Sequence, residues 1–543
     1  MYYYIFNLYT YLTYLMPDYD DLKLLAVYSL VGIRTINNAN LEIAAQTPLS
    51  MSPKSRFGVF VTMYRNDSGI LLDDMDAHQI HGCLGHWNPK YQSMNPVELV
   101  AKIQHLTQDV RTKDDRRKNF STDVDQDASA TIEINLMNLP LREIDIKSQN
   151  QFNNKKQGLL VDSGNGKRAT YLPGVYPNAS WTYISQSLRQ KAGIDRTTSV
   201  RFYAYDTTVI SFQVYDVLFS AMSLSYLRTD VAFFYLKNYT DFVPYTYNTT
   251  TRAVGVDTKE AVRNIACITD VIGFAQDYRV AFQGKPILSN LEQYYQKWLK
   301  NPDEYRQASI FLVRAYHMLG VHRSRIQMMC GTLYSALAKN ALEPQFEMGE
   351  AVSVLAGVSA PRIKVLKRIL KVMQERAEYM LDAKTTPLDN VFELNWQSQS
   401  VHRLFKMEID TTSSGTSRTS SAHITEVKQY TGHAILLFHI LIKTAQRTIS
   451  QLSSLETNYL AVIYECLSNL DAVMGLSEKQ MSHVGSSRSW KYDMHMVHDE
   501  IRNQRLYYFS ALVKMRRGEY GLYYFKDGKH ARLDITGHVI SPL

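Results

Sequence analysis

The sequence lacks the cysteine pairs that mark zinc-binding and small disulfide-bonded domains. Its 543 residues include four cysteines, Cys83, Cys267, Cys330 and Cys466, which lie far apart and form no Cys-x-x-Cys pair. Structural zinc sites and disulfide frameworks show paired spacings, so neither class is indicated. Isolated thiols in a long chain are typical of a reducing compartment, and we predict a cytoplasmic protein.

The sequence also lacks long hydrophobic runs. Residues 1–16 are apolar and aromatic, but they contain no basic residue and no small-x-small cleavage motif. A secretory signal requires both features, and a membrane-spanning helix needs about 20 predominantly apolar residues. The apolar run Gly432–Ile442 is too short by the same measure. We therefore predict a soluble protein without a membrane partner.

A strong excess of one charge is missing as well. Lys and Arg number 60, Asp and Glu number 52, and the formal net charge is +8, with no long basic run. Nucleic-acid-binding proteins usually carry a basic stripe with interleaved aromatic residues. We predict a small molecule or a protein as partner, and no nucleic acid. No motif indicates a cofactor or an oligomeric state.

Strand and helix patterns alternate through the first part of the chain. After an extension over residues 1–19, this alternation predicts an α/β (α+β) domain over residues 20–215. The helix patterns include Trp181–Ala192. The predicted strands are Phe57–Tyr64, Gln79–Leu84, Thr131–Leu136, Gly158–Val161, Arg168–Tyr171 and Val200–Ser211.

The segment Ile80–Trp87, IHGCLGHW, places a thiol between glycines and histidines. Because glycine accepts positive φ angles, we predict a turn at Cys83. The residue types suggest a nucleophile, Cys83, a base, His81 or His86, and an orienting carboxylate, Glu133. The alternative interpretation is a small, buried cysteine packed between glycines.

The same histidines, together with His78, allow a second hypothesis, a metal site at Cys83. In a strand, however, His81 and Cys83 would point to one face and His86 to the other. Side chains that diverge in this way do not converge on one ion. We therefore predict no bound metal.

A glycine-rich turn, Gly164-Asn-Gly166, precedes Lys167 and Arg168. Such a loop could hold a phosphate, but it lacks the Lys-Ser/Thr pair and the helix of a P-loop. An ordinary hairpin turn is the better interpretation. We keep Arg116, Arg168 and Lys191 as candidate substrate-binding side chains.

Seven short segments follow one another in a distinctive order: Gly58–Thr62, Gly82–Gly85, Asp114–Arg117, Ile132–Ile134, Gly158–Leu159, Leu172–Val175 and Lys191–Gly193. Their order and spacing resemble the AMMECR-type domain. The family's arginine before Gly-Cys is His81 here, and its proline-rich run after Asp115 has no prolines. The resemblance implies a compact α/β domain of two subdomains, with the cysteine motif in the groove between them; it implies no particular reaction.

From residue 216 to residue 543 the pattern predicts an all-α domain. A dozen helical segments follow one another, with a Ser/Thr-rich linker near residues 411–421. This array predicts either an α-solenoid or an α/α toroid of six helical hairpins. The segment loosely resembles toroid families, which implies that polar side chains line a funnel-shaped cavity. The candidate substrate-binding residues there are Arg263, Glu350, Asp534 and His538.

Two functions fit these features. The first is an AMMECR-like protein that acts on, or binds, a small molecule or a protein group in a groove around Cys83. The alternative is a non-enzymatic scaffold that uses its helical domain as a binding surface. Replacing Cys83 by serine distinguishes them, because a scaffold would keep its partner.

Overall fold

The chain forms two compact units, Met1–Ser223 and Leu224–Leu543. The computed structural model describes residues 19–31, 55–64, 80–114, 130–145, 149–256, 260–275, 282–339, 347–358, 363–382, 388, 390–412, 421–449, 457–481, 488–517, 522–523 and 530–540. Within these residues the first unit combines sheets and helices and the second is mostly helical. The predicted α/β domain followed by a helical domain is confirmed.

The first unit alternates strands and helices along the chain. Its elements are α1 (Tyr19–Val31), β1 (Arg56–Tyr64), β2 (Ile80–Trp87), α2 (Pro96–Thr112), β3 (Thr131–Asn138), β4 (Arg142–Ile144), a 3-10 turn (Gln149–Gln151), β5 (Gly158–Asp162), β6 (Arg168–Tyr171), α3 (Trp181–Lys191), β7 (Arg201–Tyr205), β8 (Thr207–Gln213) and α4 (Val214–Leu218).

The first sheet has the strand order β2-β1-β3-β8, and its paired strands are antiparallel. Alternation along the strands separates an apolar face from a more polar one. Val59, Val61, Ile132 and Ile134 are fully buried on the apolar face. Helix α2 packs against β1 and β2, and α1 packs against α2 and β8. The core of this subdomain therefore lies between the sheet and these helices.

The predicted turn at Cys83 is wrong, because β2 runs without a break from Ile80 to Trp87. The glycines of β2 allow neighbouring side chains to pack directly against the strand. A Cβ on Gly82 would lie 2.8 Å from Cγ2 of Val110 in α2, and one on Gly85 would overlap the Phe60 ring. Only glycine lets the helix and the aromatic ring approach the strand this closely.

The second sheet has the order β4-β7-β5-β6. The predicted β5–β6 hairpin is confirmed, and both turn glycines, Gly164 and Gly166, have positive φ angles. The single strand predicted over Val200–Ser211 is wrong. Strands β7 and β8 lie in different sheets and meet at Asp206. The two sheets share a small core of Phe57, Met137, Leu160 and Tyr205.

The second unit is a succession of helices with a few short strands. The predicted linker falls mainly on residues 413–420, which are outside the described residues. The helices are α5 (Ala221–Asn238), α6 (Ala261–Phe274), α7 (Ile287–Lys300), α8 (Arg306–Leu319), α9 (Arg323–Ala338), α10 (Glu347–Val358), α11 (Ile363–Asp382), α12 (Asn390–Thr412), α13 (Ser421–Ile449), α14 (Thr457–Met481), α15 (Arg488–Met515) and α16 (Leu533–Ile540).

Short strands accompany these helices, so the unit is not wholly helical as predicted. Strands β9 (Thr246–Asn248), β10 (Val254–Gly255) and β13 (His530–Arg532) form a sheet of order β10-β9-β13, and β11 (Arg516–Arg517) pairs with β12 (Leu522–Tyr523). Strand β13 leads directly into α16, so pairing with β9 anchors the start of that helix.

From α6 to α16, alternate helices of this unit pack against one another and form a series. The contacts run α6–α8–α10–α12–α14–α16, and α16 also contacts α6. The intervening helices α7, α9, α11 and α13 each contact two consecutive members of that series. Helix α14 has the length and hydropathy of a membrane span, but 72% of its apolar window is buried. Burial in the core accounts for its apolar composition.

Helices α10 and α12 approach each other closely. A Cβ on Gly349 would lie 2.8 Å from Trp396 Cβ and 3.0 Å from its carbonyl carbon. The Ser400 hydroxyl donates a hydrogen bond of 2.5 Å to the Gly349 carbonyl. Because Gly349 has no side chain, α10 and α12 can pack at this short distance.

We expect Gly349→Ala to lower the free energy of unfolding by about 1–3 kcal/mol, because the added methyl group meets backbone that cannot move independently. Urea unfolding measures the change. Gly432→Ala is the matched control, since its Cβ meets no atom within 4 Å. Alanine at position 432 should leave the free energy of unfolding unchanged or raise it by about 0.5–1 kcal/mol. Equal effects of the two substitutions would contradict this packing argument.

Candidate functional site

A line of hydrogen-bonding side chains crosses the polar face of the first sheet. Cys83 pairs with Thr62, Thr62 with Glu133, and Glu133 with Ser211. Directly paired residues on adjacent strands project to the same face. Cys83 and Glu133 are half-buried, Thr62 is buried and Ser211 is exposed. These four residues are called the Cys83 row below.

Cys83 is held from both its backbone and its side chain. The Thr62 hydroxyl donates to Sγ at 3.2 Å, and the Cys83 N–H donates to Oδ2 of Asp114 at 2.8 Å. Asp114 is itself buried, with 6% of its surface exposed. The Asp114 carboxyl group thus holds the Cys83 backbone, and Thr62 holds its side chain. The role of Cys83 as a nucleophile stays a prediction.

Glu133 is the charged member of the Cys83 row. Its Oε1 accepts hydrogen bonds from Nδ2 of Asn135 at 2.6 Å and from the hydroxyl of Tyr64 at 3.5 Å. Burial and the neighbouring Glu133 raise the pKa of Tyr64, so the phenol stays a donor. Within the described part of the chain, both bonds go to Oε1, and Oε2 has no protein donor.

The structure does not bring His86 to Cys83. His86 pairs with Val59 and lies three residues after Cys83 in β2, so it projects to the opposite face. Burial, together with Lys102 of α2, lowers the pKa of His86. The side chain of His81 is outside the described residues, so its role as a base stays a prediction.

Tyr205 of the second sheet lies near the Cys83 row. Tyr205 is 1% exposed, and its hydroxyl lies 2.7 Å from that of Thr170. Burial and the nearby Cys83 raise the pKa of Tyr205, and Thr170 partly offsets this effect. Tyr205 thus connects the second sheet with the neighbourhood of Cys83.

The predicted substrate-binding cations of this unit make structural contacts. Nε of Arg168 pairs with Asp162 at 2.9 Å, and its Nη1 donates to the Pro89 carbonyl at 2.7 Å. Nζ of Lys191 donates to the Thr170 carbonyl at 3.0 Å. Arg116 is outside the described residues. Ligand binding by these residues stays a prediction.

Comparison with known proteins identifies the first unit. The AMMECR1 family model matches residues 31–214. These residues form an AMMECR1 domain. A crystal structure of an uncharacterised protein from Pyrococcus horikoshii is similar, with 18% identity, a TM-score of 0.25, and coverage of 36% of this chain and 93% of the other. No curated protein matches the sequence.

Outside the AMMECR1 domain, the helical unit contains a partly buried ion pair. Nδ1 of His538 in α16 lies 2.7 Å from Oε2 of Glu465 in α14. From α12, Asn395 donates to Oε2 at 2.7 Å and Gln399 donates to Oε1 at 3.3 Å. Burial opposes the charged imidazole, but Glu465 outweighs it and raises the pKa of His538 to about 9.

A second carboxyl group, Glu350 of α10, lies in the same electrostatic neighbourhood. It is 4% exposed, and its Oε1 is 3.7 Å from Nη1 of Arg314. Burial and Glu465 raise the pKa of Glu350, against the opposing effects of Arg314, Arg403 and His538. The carboxyl group is therefore held toward its neutral form.

Asp534 and Arg263 meet at Tyr245. The Tyr245 hydroxyl donates to Oδ2 of Asp534 at 3.4 Å, and the Arg263 guanidinium lies 5.9 Å from the ring centroid. Asp534 is also paired with Arg532. Asp534 and Asp270 both contribute to the raised pKa of His538. The structure thus places the four predicted residues of this unit in connected polar surroundings.

Sequence reasoning missed Glu465, Arg314, Arg403 and Asn395, which lie inside predicted helices. One of them left a signal. Glu465 is the single charged residue in the otherwise apolar run Leu460–Leu467. A lone carboxylate in a core helix requires a partner, and this pattern marks it as a candidate.

A surface pocket of about 300 Å³ lies elsewhere in the helical unit, lined by Met348, Val372, Met373, Arg376 and Tyr379. Its one charged residue, Arg376, is paired with Glu393, so we assign it no chemistry. The described residues contain no group of three or more His, Cys, Asp or Glu side chains placed to hold a metal ion. The absence of a metal stays a prediction.

We expect the stability of the helical unit to fall as the pH rises from about 6.5 to about 9. The pKa of His538 is about 9 in the fold and 6.5 without its partners. A group whose pKa is higher in the folded state than in the unfolded state stabilises the fold. This stabilisation is complete when the pH is below the unfolded-state pKa, and it is lost as the pH rises through the folded-state pKa. The loss should approach about 3 kcal/mol.

Urea unfolding at a series of pH values tests this expectation. His538→Gln should remove most of the slope between pH 6.5 and 9. His495→Gln is the control, because His495 is exposed on α15, with 58% of its side chain accessible, and it should leave the slope unchanged. An unchanged slope in His538→Gln would contradict the assignment.

Proposed function

We propose that the AMMECR1 domain binds a small molecule, or a protein side chain, that presents an N–H donor to the Cys83 row. The observation that supports this function is the geometry of Glu133. Its two protein hydrogen bonds converge on Oε1, and the side chain is only half-buried. Oε2 can therefore accept from an ammonium, amide or guanidinium group.

The neighbouring side chains fit such a ligand. A charge-assisted hydrogen bond to a carboxylate is about twice as strong as a neutral one, so Glu133 would provide most of the affinity. The Ser211 hydroxyl and the Cys83 thiol lie on the same face and complete the polar surface. In this reading the thiol contacts the ligand and performs no nucleophilic attack.

We also infer that the helical unit is an α/α toroid. The support is the cycle of contacts α6–α8–α10–α12–α14–α16–α6, with α7, α9, α11 and α13 each bridging consecutive members. The ring contact of 6.4 Å between Tyr235 of α5 and Phe274 of α6 adds a further pair. A solenoid would leave its terminal helices apart.

We propose a cytoplasmic location for the protein. All four cysteines are free, and three of them are buried in helices. Free thiols throughout a chain of this length fit a reducing compartment.

We expect N-acetyl-lysine amide to protect Cys83 from iodoacetamide, because its ammonium group would bind Glu133 beside the thiol. Peptide mass spectrometry gives the rate for each cysteine, and the buried Cys267 and Cys466 are internal controls. Glu133→Gln should raise the half-protecting concentration at least fivefold, since it removes the charge. Glu143→Gln, on exposed β4, should have no effect.

Either of two results would contradict the binding proposal: a Cys83 that is inert in the folded protein, or equal protection in both variants. The rate of alkylation against pH separates binding from catalysis. An apparent thiol pKa well below about 8.5 would favour the nucleophile hypothesis instead. For the scaffold alternative, Cys83→Ser and Glu133→Gln should both leave partner binding unchanged.

A further inference from the structure

Every helix of the series α6–α8–α10–α12–α14–α16 contributes a polar side chain to one electrostatic neighbourhood. The ion pair Glu465–His538 and the pair Glu350–Arg314 join four of these helices. The contributing residues, called the inner cluster, are Asp270 of α6, Arg314 of α8, Glu350 of α10, Asn395, Gln399 and Arg403 of α12, Glu465 of α14 and His538 of α16.

Two guanidinium groups of the inner cluster share one carboxyl group. Arg314 lies 3.7 Å from Glu350, and Arg403 interacts with both Glu350 and Arg314. Burial and the nearby Arg314 lower the pKa of Arg403 to about 10. One carboxyl group can offset at most one of these two positive charges. This arrangement favours a bound anion.

A neighbouring acceptor also lacks a partner. Asn395 is 1% exposed, and its Nδ2 donates to Glu465. Within the described residues its Oδ1 accepts no hydrogen bond. A buried carbonyl oxygen that accepts no hydrogen bond destabilises the fold. A ligand hydroxyl group that donates to Oδ1 would remove this destabilisation.

The inner cluster is reachable from solvent. The side chains of Arg314 and His538 are 31% and 30% exposed, whereas those of Glu350 and Glu465 are 6% and 12% exposed. Polar groups therefore continue from the surface into the unit.

We propose that the inner cluster binds a small hydroxylated organic anion, a molecule with one carboxylate or phosphate group and at least one hydroxyl group. Arg314 and Arg403 hold the anionic group, and Oδ1 of Asn395 accepts from the hydroxyl. Glu465, which pairs with His538, also accepts a hydrogen bond from Asn395 and positions its amide group. The site belongs to the helical unit and does not depend on the function proposed for the AMMECR1 domain.

Three related compounds test the ligand class on the full-length protein. Glycerate carries a carboxylate, glycerol 3-phosphate carries a phosphate, and glycerol is neutral. Isothermal titration at constant ionic strength gives the Kd of each. At least one anion should bind tenfold more tightly than glycerol, and the tighter of the two identifies the acid group. Equal binding of all three compounds would overturn the proposal.

Variants then test the residues. Arg314→Gln and Arg403→Gln should each raise the Kd of the preferred anion at least tenfold. The control is Arg325→Gln on α9, because Arg325 is paired with Glu292 outside the inner cluster. This variant should bind the preferred anion with the wild-type Kd. Retained affinity in both cluster variants would contradict the proposal. If Arg314→Gln does not fold, Arg314→Lys keeps the charge but loses the bidentate geometry, and it should still weaken binding.

Asn395→Ala tests the hydroxyl contact separately. It should remove the preference for glycerol 3-phosphate over inorganic phosphate, while the Kd of inorganic phosphate stays within twofold of the wild-type value. A preference that survives this substitution would show that Asn395 does not bind the hydroxyl group and would refute that part of the proposal.

Discussion

Close backbone approach at glycine is the constraint on which both units depend. In the AMMECR1 domain, Gly82 lets α2 lie against β2, and Gly158 accommodates the ring of Tyr205 between the sheets. In the helical unit, Gly349 and Gly537 bring α10 against α12 and α16 against Asp270 of α6. A Cβ at any of these positions would overlap a neighbouring atom. The elements that carry the polar side chains can therefore pack this closely only because these residues are glycines.

The polar side chains lie where this spacing brings different elements together. In the sheet, antiparallel register places Cys83, Thr62, Glu133 and Ser211 in one row. In the helical unit, close packing places Glu465 within reach of His538 and Asn395. Burying such groups is unfavourable unless partners are present. Both groups of residues keep one acceptor without a described protein donor, which makes them the strongest candidates for ligand contacts.

The two candidate sites differ in their electrostatics, and this difference separates their ligands. Beside Cys83, Glu133 offers a carboxyl oxygen that accepts no described protein hydrogen bond, which suits a donor ligand. Around Glu350, two guanidinium groups, those of Arg314 and Arg403, face one carboxyl group, which suits an anion. The two proposed ligands are therefore chemically different, and each site can be tested without the other.

The sequence by itself determined the α/β domain, the helical domain and most element positions, because hydrophobic periodicity is local and survives in a single chain. It also indicated Cys83, Glu133, Glu350 and His538 from residue type. The tertiary structure alone decided which face of β2 carries Cys83, since strand pairing and not local preference extends β2 through its glycines. It alone joined Glu465 to His538, 73 residues apart, because contacts between distant helices depend on packing that no local pattern encodes.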